Sequence, residues 1–157
     1  MVKVSLLILM CAVILIAVFM AFRLVGEASR SHSINPELGV VNGTLIDCPS
    51  SPNCVSSRAT DDKHRIAAIA DADGLLWPTL VDKLSNMVGA VLVANQDDYI
   101  WVEFTTPIMG FVDDVEFLND PESGQISIRS ASRVGYSDMG TNRKRIEVIR
   151  NALSAGH

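Results

Sequence analysis

Near its N-terminus the chain carries an uncharged apolar run, VSLLILMCAVILIAVFMAF, over residues 4–22. The run contains neither Pro nor Gly, and Leu24 and Val25 extend it beyond Arg23. At a rise of about 1.5 Å per helical residue, this stretch is long enough to cross a hydrocarbon core of about 30 Å. The sequence therefore predicts one transmembrane helix, which we place within residues 1–25.

A cleaved signal peptide and a lipoprotein signal are the alternatives to an uncleaved signal anchor. The apolar part of a signal peptide normally has about 7–15 residues, so this run is too long. Gly26-Glu27-Ala28 makes only a passable cleavage site, and the residue before Cys11 is Met10, where a lipoprotein signal needs a small residue. We therefore expect the helix to stay attached as an anchor.

The cysteines bear on the compartment, because the basic residues around the span nearly balance and leave its orientation open. Apart from Cys11 in the span, the only cysteines are Cys48 and Cys54, in CPSSPNC. An isolated pair suits an oxidising compartment, so we expect the soluble domain to be periplasmic or otherwise extracytoplasmic. The spacing fits neither a zinc site nor a C-x-x-C redox motif. A structural disulfide and two packed thiols both remain open, and we expect no metal and no cofactor.

Beyond the anchor we expect two further parts. Residues 26–60 are polar and rich in turn-forming residues, which predicts a tether that includes the Cys-Pro-Ser-rich turns. Residues 61–157 predict an α+β domain, in which a β-meander of about four to five antiparallel strands is packed by two helices on one face. The first helix is expected over 74–87, capped by Asp73, and the last over 142–155.

The last predicted hairpin has a register that the turn DPESGQ sets by placing Asp120 opposite Gln125. In that register Glu116 lies opposite Arg129, and Asp114 lies diagonal to Arg129 and Arg133. Cross-strand pairs of opposite charge contribute roughly 0.2–1 kcal/mol each. We therefore expect Asp114 and Glu116 to be structural residues, and Cys48 and Cys54 likewise.

Three cations at the start of the last helix are harder to explain, because a helix N-terminus disfavours positive charge. Arg143, Lys144 and Arg145 begin that helix, and residues 129–150 hold six bases and two acids. Free N–H groups beside cations are suited to an anion, with Asp138 ordering the loop that leads in. The alternative is a solvated face paired with acids elsewhere. The predicted ligand-binding residues are Arg129, Arg133, Asp138, Asn142, Arg143 and Arg145.

Three segments, CPSSPNCVSS, GFVDDVEF and RSASRVGYSDMGTNRKRIEVIR, resemble in the same order the uncharacterised family called domain of unknown function 1499. The resemblance covers about residues 38–153. It implies a hydrophobic N-terminal segment or transit peptide and no assigned activity. The positions that it marks for a family-level site are Cys48, Asn53, Cys54, Asp113, Asp114, Arg129, Ser130, Ser132, Arg133, Asp138, Asn142, Arg143 and Arg145.

Two classes of function remain. The first is a membrane-anchored, non-catalytic binding or scaffold domain that holds an anionic group, such as a lipid headgroup or an acidic segment of a protein partner. The second is a hydrolase-like or thiol-redox enzyme that uses Asp114, Asp138 or Cys48 and Cys54. Of the histidines, only His64 lies in the predicted domain away from its last residue, His157, so no catalytic residue is assigned. The acidic net charge of −5 argues against a nucleic-acid partner.

Overall fold

A computed structural model describes residues 2–155 of the chain; residues 1, 156 and 157, at the ends of the predicted anchor and domain, lie outside it. The described elements follow in chain order: α1 Val2–Ser33, β1 Val40–Val41, β2 Thr44–Leu45, β3 Cys54–Ser56, β4 Ile69–Ala70, α2 Leu76–Ser85, β5 Ala90–Asn95, β6 Tyr99–Thr105, β7 Val112–Asp120, β8 Gln125–Ser132 and α3 Thr141–Ser154.

Six of the strands form one antiparallel sheet in the order β3-β8-β7-β6-β5, with β4 pairing along another part of β8. The remaining two strands form a separate hairpin. In the β7–β8 pair Asp120 lies opposite Gln125, and Glu116 lies opposite Arg129, as predicted. The α+β class and the antiparallel sheet are thus confirmed.

The core lies on the sheet face that α2 and α3 cover. Alternation along β6 and β7 sends Ile100, Val102 and Phe117 to this face. They join one buried cluster with leucines of α2 and isoleucines of α3, namely Leu80, Leu84, Ile146 and Ile149. We call this side of the sheet the helix face and the other side the ion-pair face.

The helix α2 starts later than predicted, and a different acid caps it. The Asp71 carboxylate accepts hydrogen bonds from the backbone N–H groups of Leu76 and Trp77, both at 2.9 Å. Asp73, the expected cap, accepts only from Leu75 N–H at 3.3 Å. The prediction of Asp73 was wrong because the buried Asp71 approaches the first turn from the end of β4.

The segment expected as a tether has more regular structure than the prediction allowed. Helix α1 continues to Ser33, and β1, β2 and β3 lie within residues 40–56. Between β3 and α2 the structure has one strand, β4, which has two residues. Strands this short leave little periodic signal in a sequence. The division into anchor, tether and domain stays a prediction.

The two ends of α1 have different surroundings. Residues 4–26 are exposed throughout, and the helix is long and apolar enough to cross a membrane. Further on, Ala28 and Ser31 are buried against the sheet. Ser31 Oγ accepts a hydrogen bond from Val112 N–H (3.1 Å), and His32 Nε2 bonds to the Gly110 carbonyl (3.0 Å). The last turns of α1 therefore belong to the folded domain.

Candidate functional site

The first part of the predicted site is a buried ion pair on the ion-pair face. Arg129 donates to Glu116 Oε2 at 2.8 Å, and both side chains are buried. Glu116 Oε1 also accepts from Gly39 N–H (2.6 Å) and from the Tyr99 hydroxyl (2.9 Å). Burial, together with the Glu116 carboxylate, raises the pKa of Tyr99 well above its ordinary value, so the phenol stays a donor. This arrangement joins the sheet to the segment that follows α1.

Arg133 forms the second buried cluster on the same face. Its Nε and Nη2 atoms donate to the two oxygens of Asp114 at 2.8 and 2.7 Å, and Nη2 also donates to Glu103. The hydrogen bonds to Asp114 and Glu103 raise the pKa of Arg133. Its Nη1 donates to the Ser31 carbonyl at 3.4 Å, and the Trp101 indole donates to Asp114 at 2.9 Å. Arg133 therefore connects the sheet to the end of α1.

The start of α3 is closed by the chain's own carboxylate. Asp138 Oδ2 accepts from Asn142 N–H at 2.7 Å, and Oδ1 accepts from Gly140 N–H at 3.0 Å. The Asp138 carbonyl also accepts from the N–H (3.1 Å) and the hydroxyl (2.7 Å) of Thr141. The sequence had predicted that N–H groups at the start of this helix would bind an anion. Asp138 thus orders the loop, as expected, but it also occupies the place of the expected ligand.

Arg145 is buried on the helix face, and it does not project into solvent. It pairs with Asp113, donates to Asn142 Oδ1 (2.6 Å) and lies with its guanidinium carbon 5.0 Å from the centre of the Phe104 ring. Burial raises the pKa of Asp113, and the charge and hydrogen bond of Arg145 partly offset that effect. These contacts occupy the Arg145 guanidinium within the protein, so they do not support the prediction that Arg145 binds an anion.

Asn142 gathers a polar network around Arg145. Its Oδ1 accepts from Ser130 Oγ at 2.6 Å, and its Nδ2 donates to Asn53 O and Ser132 Oγ at 3.0 Å each. Asn53 in turn donates from Nδ2 to the Gly135 carbonyl at 2.8 Å. The network joins β3, β8, α3 and the loop between β8 and α3. Asn142 is therefore a buried structural residue in this geometry.

Arg143 lies apart from the other predicted ligand residues. Its guanidinium donates to the carbonyls of Arg65 (2.8 Å) and Lys63 (3.1 Å), which ties α3 to the loop before β4. Arg129 and Arg133 lie on the other face of the sheet. The six predicted ligand residues therefore do not converge on one pocket.

The two cysteines of the turn segment are joined. Cys48 and Cys54 form a disulfide with a Cα–Cα distance of 5.7 Å. The bridge closes the turn that presents Asn53, so it supports the network around Asn142. Of the two alternatives left open, a structural disulfide and a packed pair of thiols, the structure has the disulfide.

A cavity that the sequence analysis did not foresee lies where α1 meets the domain. Its volume is about 460 Å³, and we call it the junction cavity. Most of its wall is apolar, and the polar groups include Glu27, Asp113, Ser132 and Asp138. The apolar wall comes from α1, from the loop between β6 and β7 and from the loop between β8 and α3: Leu24, Met109, Phe111, Val134 and Met139.

Sequence reasoning missed Asp113 as the partner of Arg145 and Glu103 as a partner of Arg133. Asp113 was among the family-marked positions, and the alternation of β7 already put it on the face opposite Asp114. His64 lies away from the cavity, and its Nδ1 donates to the Asp61 carboxylate, 2.9 Å from both oxygens. His157 lies outside the described residues. Within residues 2–155 there is no group of three or more side chains suited to a metal.

Comparison with known proteins gives a family and no assigned activity. Neither the curated proteins nor the solved structures contain a match to the chain. A family model described as "Protein of unknown function (DUF1499)" matches residues 44–153, from β2 to the last turn of α3. The matched range includes both buried arginine clusters, the disulfide and the domain's share of the junction cavity. Since this range exceeds half of the chain, the protein belongs to the DUF1499 family.

Proposed function

We propose that the protein is a membrane-anchored, non-catalytic binding domain whose ligand occupies the junction cavity. The observation that carries this proposal is a mostly apolar cavity of about 460 Å³ on which a few polar side chains converge. Small-molecule sites in proteins have this volume and character, and buried groups with perturbed pKa values concentrate in them. Asp113, whose pKa burial raises, is such a group.

The lining favours a neutral or cationic amphiphile. The charged residues in the wall are Glu27, Asp113 and Asp138, and within the described part of the chain no Lys or Arg lines the cavity. The apolar wall suits an alkyl chain, and the acids suit an amine or a hydroxyl group. A neutral or cationic lipid headgroup therefore differs from the anionic group expected from the sequence, and an anionic ligand lacks support in this lining.

Binding is favoured over catalysis because the residues of the enzyme alternative are engaged elsewhere. Asp114 accepts hydrogen bonds from Arg133 and Trp101, and Asp138 caps α3. Cys48 and Cys54 are joined to each other, so neither is present as a thiolate for nucleophilic chemistry. A scaffold role uses the same fold, but it does not require a cavity.

We further propose that α1 crosses the membrane once and that the domain lies on the extracytoplasmic side. The exposed apolar helix fits a single-pass protein or a signal anchor. The disulfide supports the side, because disulfides persist in oxidising compartments and are rare in the cytosol.

Filling the cavity tests the proposal. Val134→Trp places a large ring in the wall, and Val91→Trp is the matched control on the exposed side of β5. We expect dodecylamine to raise the melting temperature of the full-length protein and of Val91→Trp in non-ionic detergent, but not that of Val134→Trp. Dodecanoate should give a smaller shift. An equal rise in all three proteins would show that the cavity is not the site.

A further inference from the structure

One end of the sheet carries several highly exposed apolar side chains. Because neighbouring strands are antiparallel, this end of the sheet contains the end of β6, the start of β7 and the end of β8. The loops attached to it expose Ile108 (94%), Met139 (91%) and Tyr136 (75%), and Met109 is also exposed. We call these four residues the apolar end. Single exposed apolar residues are ordinary on protein surfaces, whereas four on neighbouring loops at one end of a sheet indicate a contact surface.

The opposite end of the sheet has the reverse character. The turn between β5 and β6 exposes Asp97 and Asp98, and the turn between β7 and β8 exposes Asp120 and Glu122. The same strands reach both ends, so the difference in polarity between the two ends comes from the loops and turns that connect the strands. The domain is therefore polarised along its strands, with one apolar end and one acidic end.

The apolar end lies beside the point where α1 leaves its apolar stretch. Met109 and Met139 line the junction cavity together with Leu24, and Gly110 lies next to Ala28. Residues 4–25 extend about 33 Å as a helix, close to the thickness of a hydrocarbon core of about 30 Å. If α1 crosses a bilayer, Leu24 lies at the edge of that core, and the apolar end lies level with the lipid headgroups.

The attachment between α1 and the domain is too short and too well bonded to allow the domain to swing away. Only Gly26 and Glu27 separate the apolar stretch from the buried Ala28. Ser31 then accepts two hydrogen bonds, at Oγ from Val112 N–H and at its carbonyl from Arg133. The contacts keep the apolar end on the membrane side.

We infer that the apolar end enters the headgroup region of the bilayer that α1 crosses, so that the domain rests on the lipid surface. The occupant is a zwitterionic lipid surface, because Arg133 and Arg145 are closed in ion pairs, Arg30 pairs with Glu27, and the phosphate of a zwitterionic headgroup is a sufficient partner for the exposed Arg23. Tyr136 suits the interface, where its ring and hydroxyl meet both environments. This inference rests on the proposed membrane crossing of α1, but it holds whether or not the junction cavity is occupied.

Site-directed spin labelling tests this inference on the full-length chain. In a Cys11→Ser background the described cysteines left are the bridged pair, so Ile108→Cys, Met139→Cys or Ser123→Cys adds one reactive thiol. Ser123, in the turn at the acidic end, is the control. The protein is reconstituted in phosphatidylcholine liposomes, and collisions of the label with oxygen and with a water-soluble nickel chelate are compared.

We expect labels at 108 and 139 to collide several-fold more with oxygen than with the nickel chelate, and the label at 123 to show the opposite preference. High collision with the nickel chelate at 108 and 139 would overturn the inference, because these residues would then be in water. Low collision with both reagents would also overturn it, because the apolar end would then be covered by protein, either a second copy or a partner.

Discussion

The two faces of the sheet both bury charged side chains, but the surroundings of those charges differ. On the ion-pair face, Glu116 and Asp114 are matched by Arg129 and Arg133, and protein covers the clusters. On the helix face, Asp113 is matched by Arg145 but also lines the junction cavity. Asp113 and Asp114 are adjacent in sequence, and alternation along β7 sends them to opposite faces. The pairs on the ion-pair face are therefore purely structural, whereas the Asp113–Arg145 pair is structural and also borders the proposed ligand site.

The largest expected effect is the loss of the buried pair on the ion-pair face. Arg129→Ala leaves Glu116 buried without its cation, and breaking such a pair costs about 3–5 kcal/mol of unfolding free energy. Chemical denaturation of the full-length protein in detergent measures it. Arg65→Ala is the control, because its pair with Asp62 is exposed and should contribute less than about 1 kcal/mol. Equal losses in the two variants would remove the distinction between buried and surface pairs.

The next effect separates two cations of the same helix turn. Arg145→Ala should destabilise the fold by several kcal/mol, because Asp113 loses its buried partner and the Phe104 ring its cation. Arg143→Ala should cost about 1 kcal/mol or less, because it loses only the exposed hydrogen bonds from its guanidinium to the Arg65 and Lys63 carbonyls. Thermal melts of both variants provide the comparison. A melting temperature for Arg145→Ala equal to that of wild type would support the anion hypothesis for this residue, particularly if phosphate then stabilised wild type alone.

A smaller effect is expected from the disulfide. Replacing both Cys48 and Cys54 by Ser should lower stability by about 2 kcal/mol, because the closed loop is short and chain-entropy stabilisation grows with loop length. Chemical unfolding without reductant measures the loss. Adding reductant to wild type should reproduce the loss, and adding it to the double Ser variant should change nothing. A variant as stable as wild type would mean that Asn53 holds its network without the bridge.

The smallest effect is a pH dependence that belongs to Asp113. Burial raises the pKa of Asp113 above its ordinary 3.8, so the folded protein keeps this proton to a higher pH than the unfolded chain. Its contribution to stability is therefore complete below pH 3.8 and is lost as the pH rises through the raised value. The stability of Asp113→Asn relative to wild type should increase over that window. A difference between the two proteins that is flat with pH would show that Arg145 cancels the effect of burial.

Much of the sheet could be predicted, because its information is local. Period-two alternation in β6 and β7 and the turn at Asp120 determine which residues face each other, and the Glu116–Arg129 pair follows from that register. The pairing of Arg145 with Asp113 joins residues 32 positions apart in different elements, and no local pattern shows it. The junction cavity needs α1 and two loops together, so it exists only once the fold has formed. The residues of the predicted site were largely recognised as important, but their partners were not.

Mapping the lipid contacts of the domain tests directly whether the apolar end and the junction cavity face the membrane. Full-length protein in liposomes that contain a phosphatidylcholine with a photoreactive group near its headgroup is irradiated, and the labelled residues are mapped by mass spectrometry. If the apolar end and the junction cavity face lipid, we expect labels on the loops around Met109 and Met139 and on Val134 in the cavity wall, in addition to α1. We expect no label on the turn at Glu122. Labels confined to residues 4–25 would rule out this membrane contact, because the cavity and the apolar end would then face water.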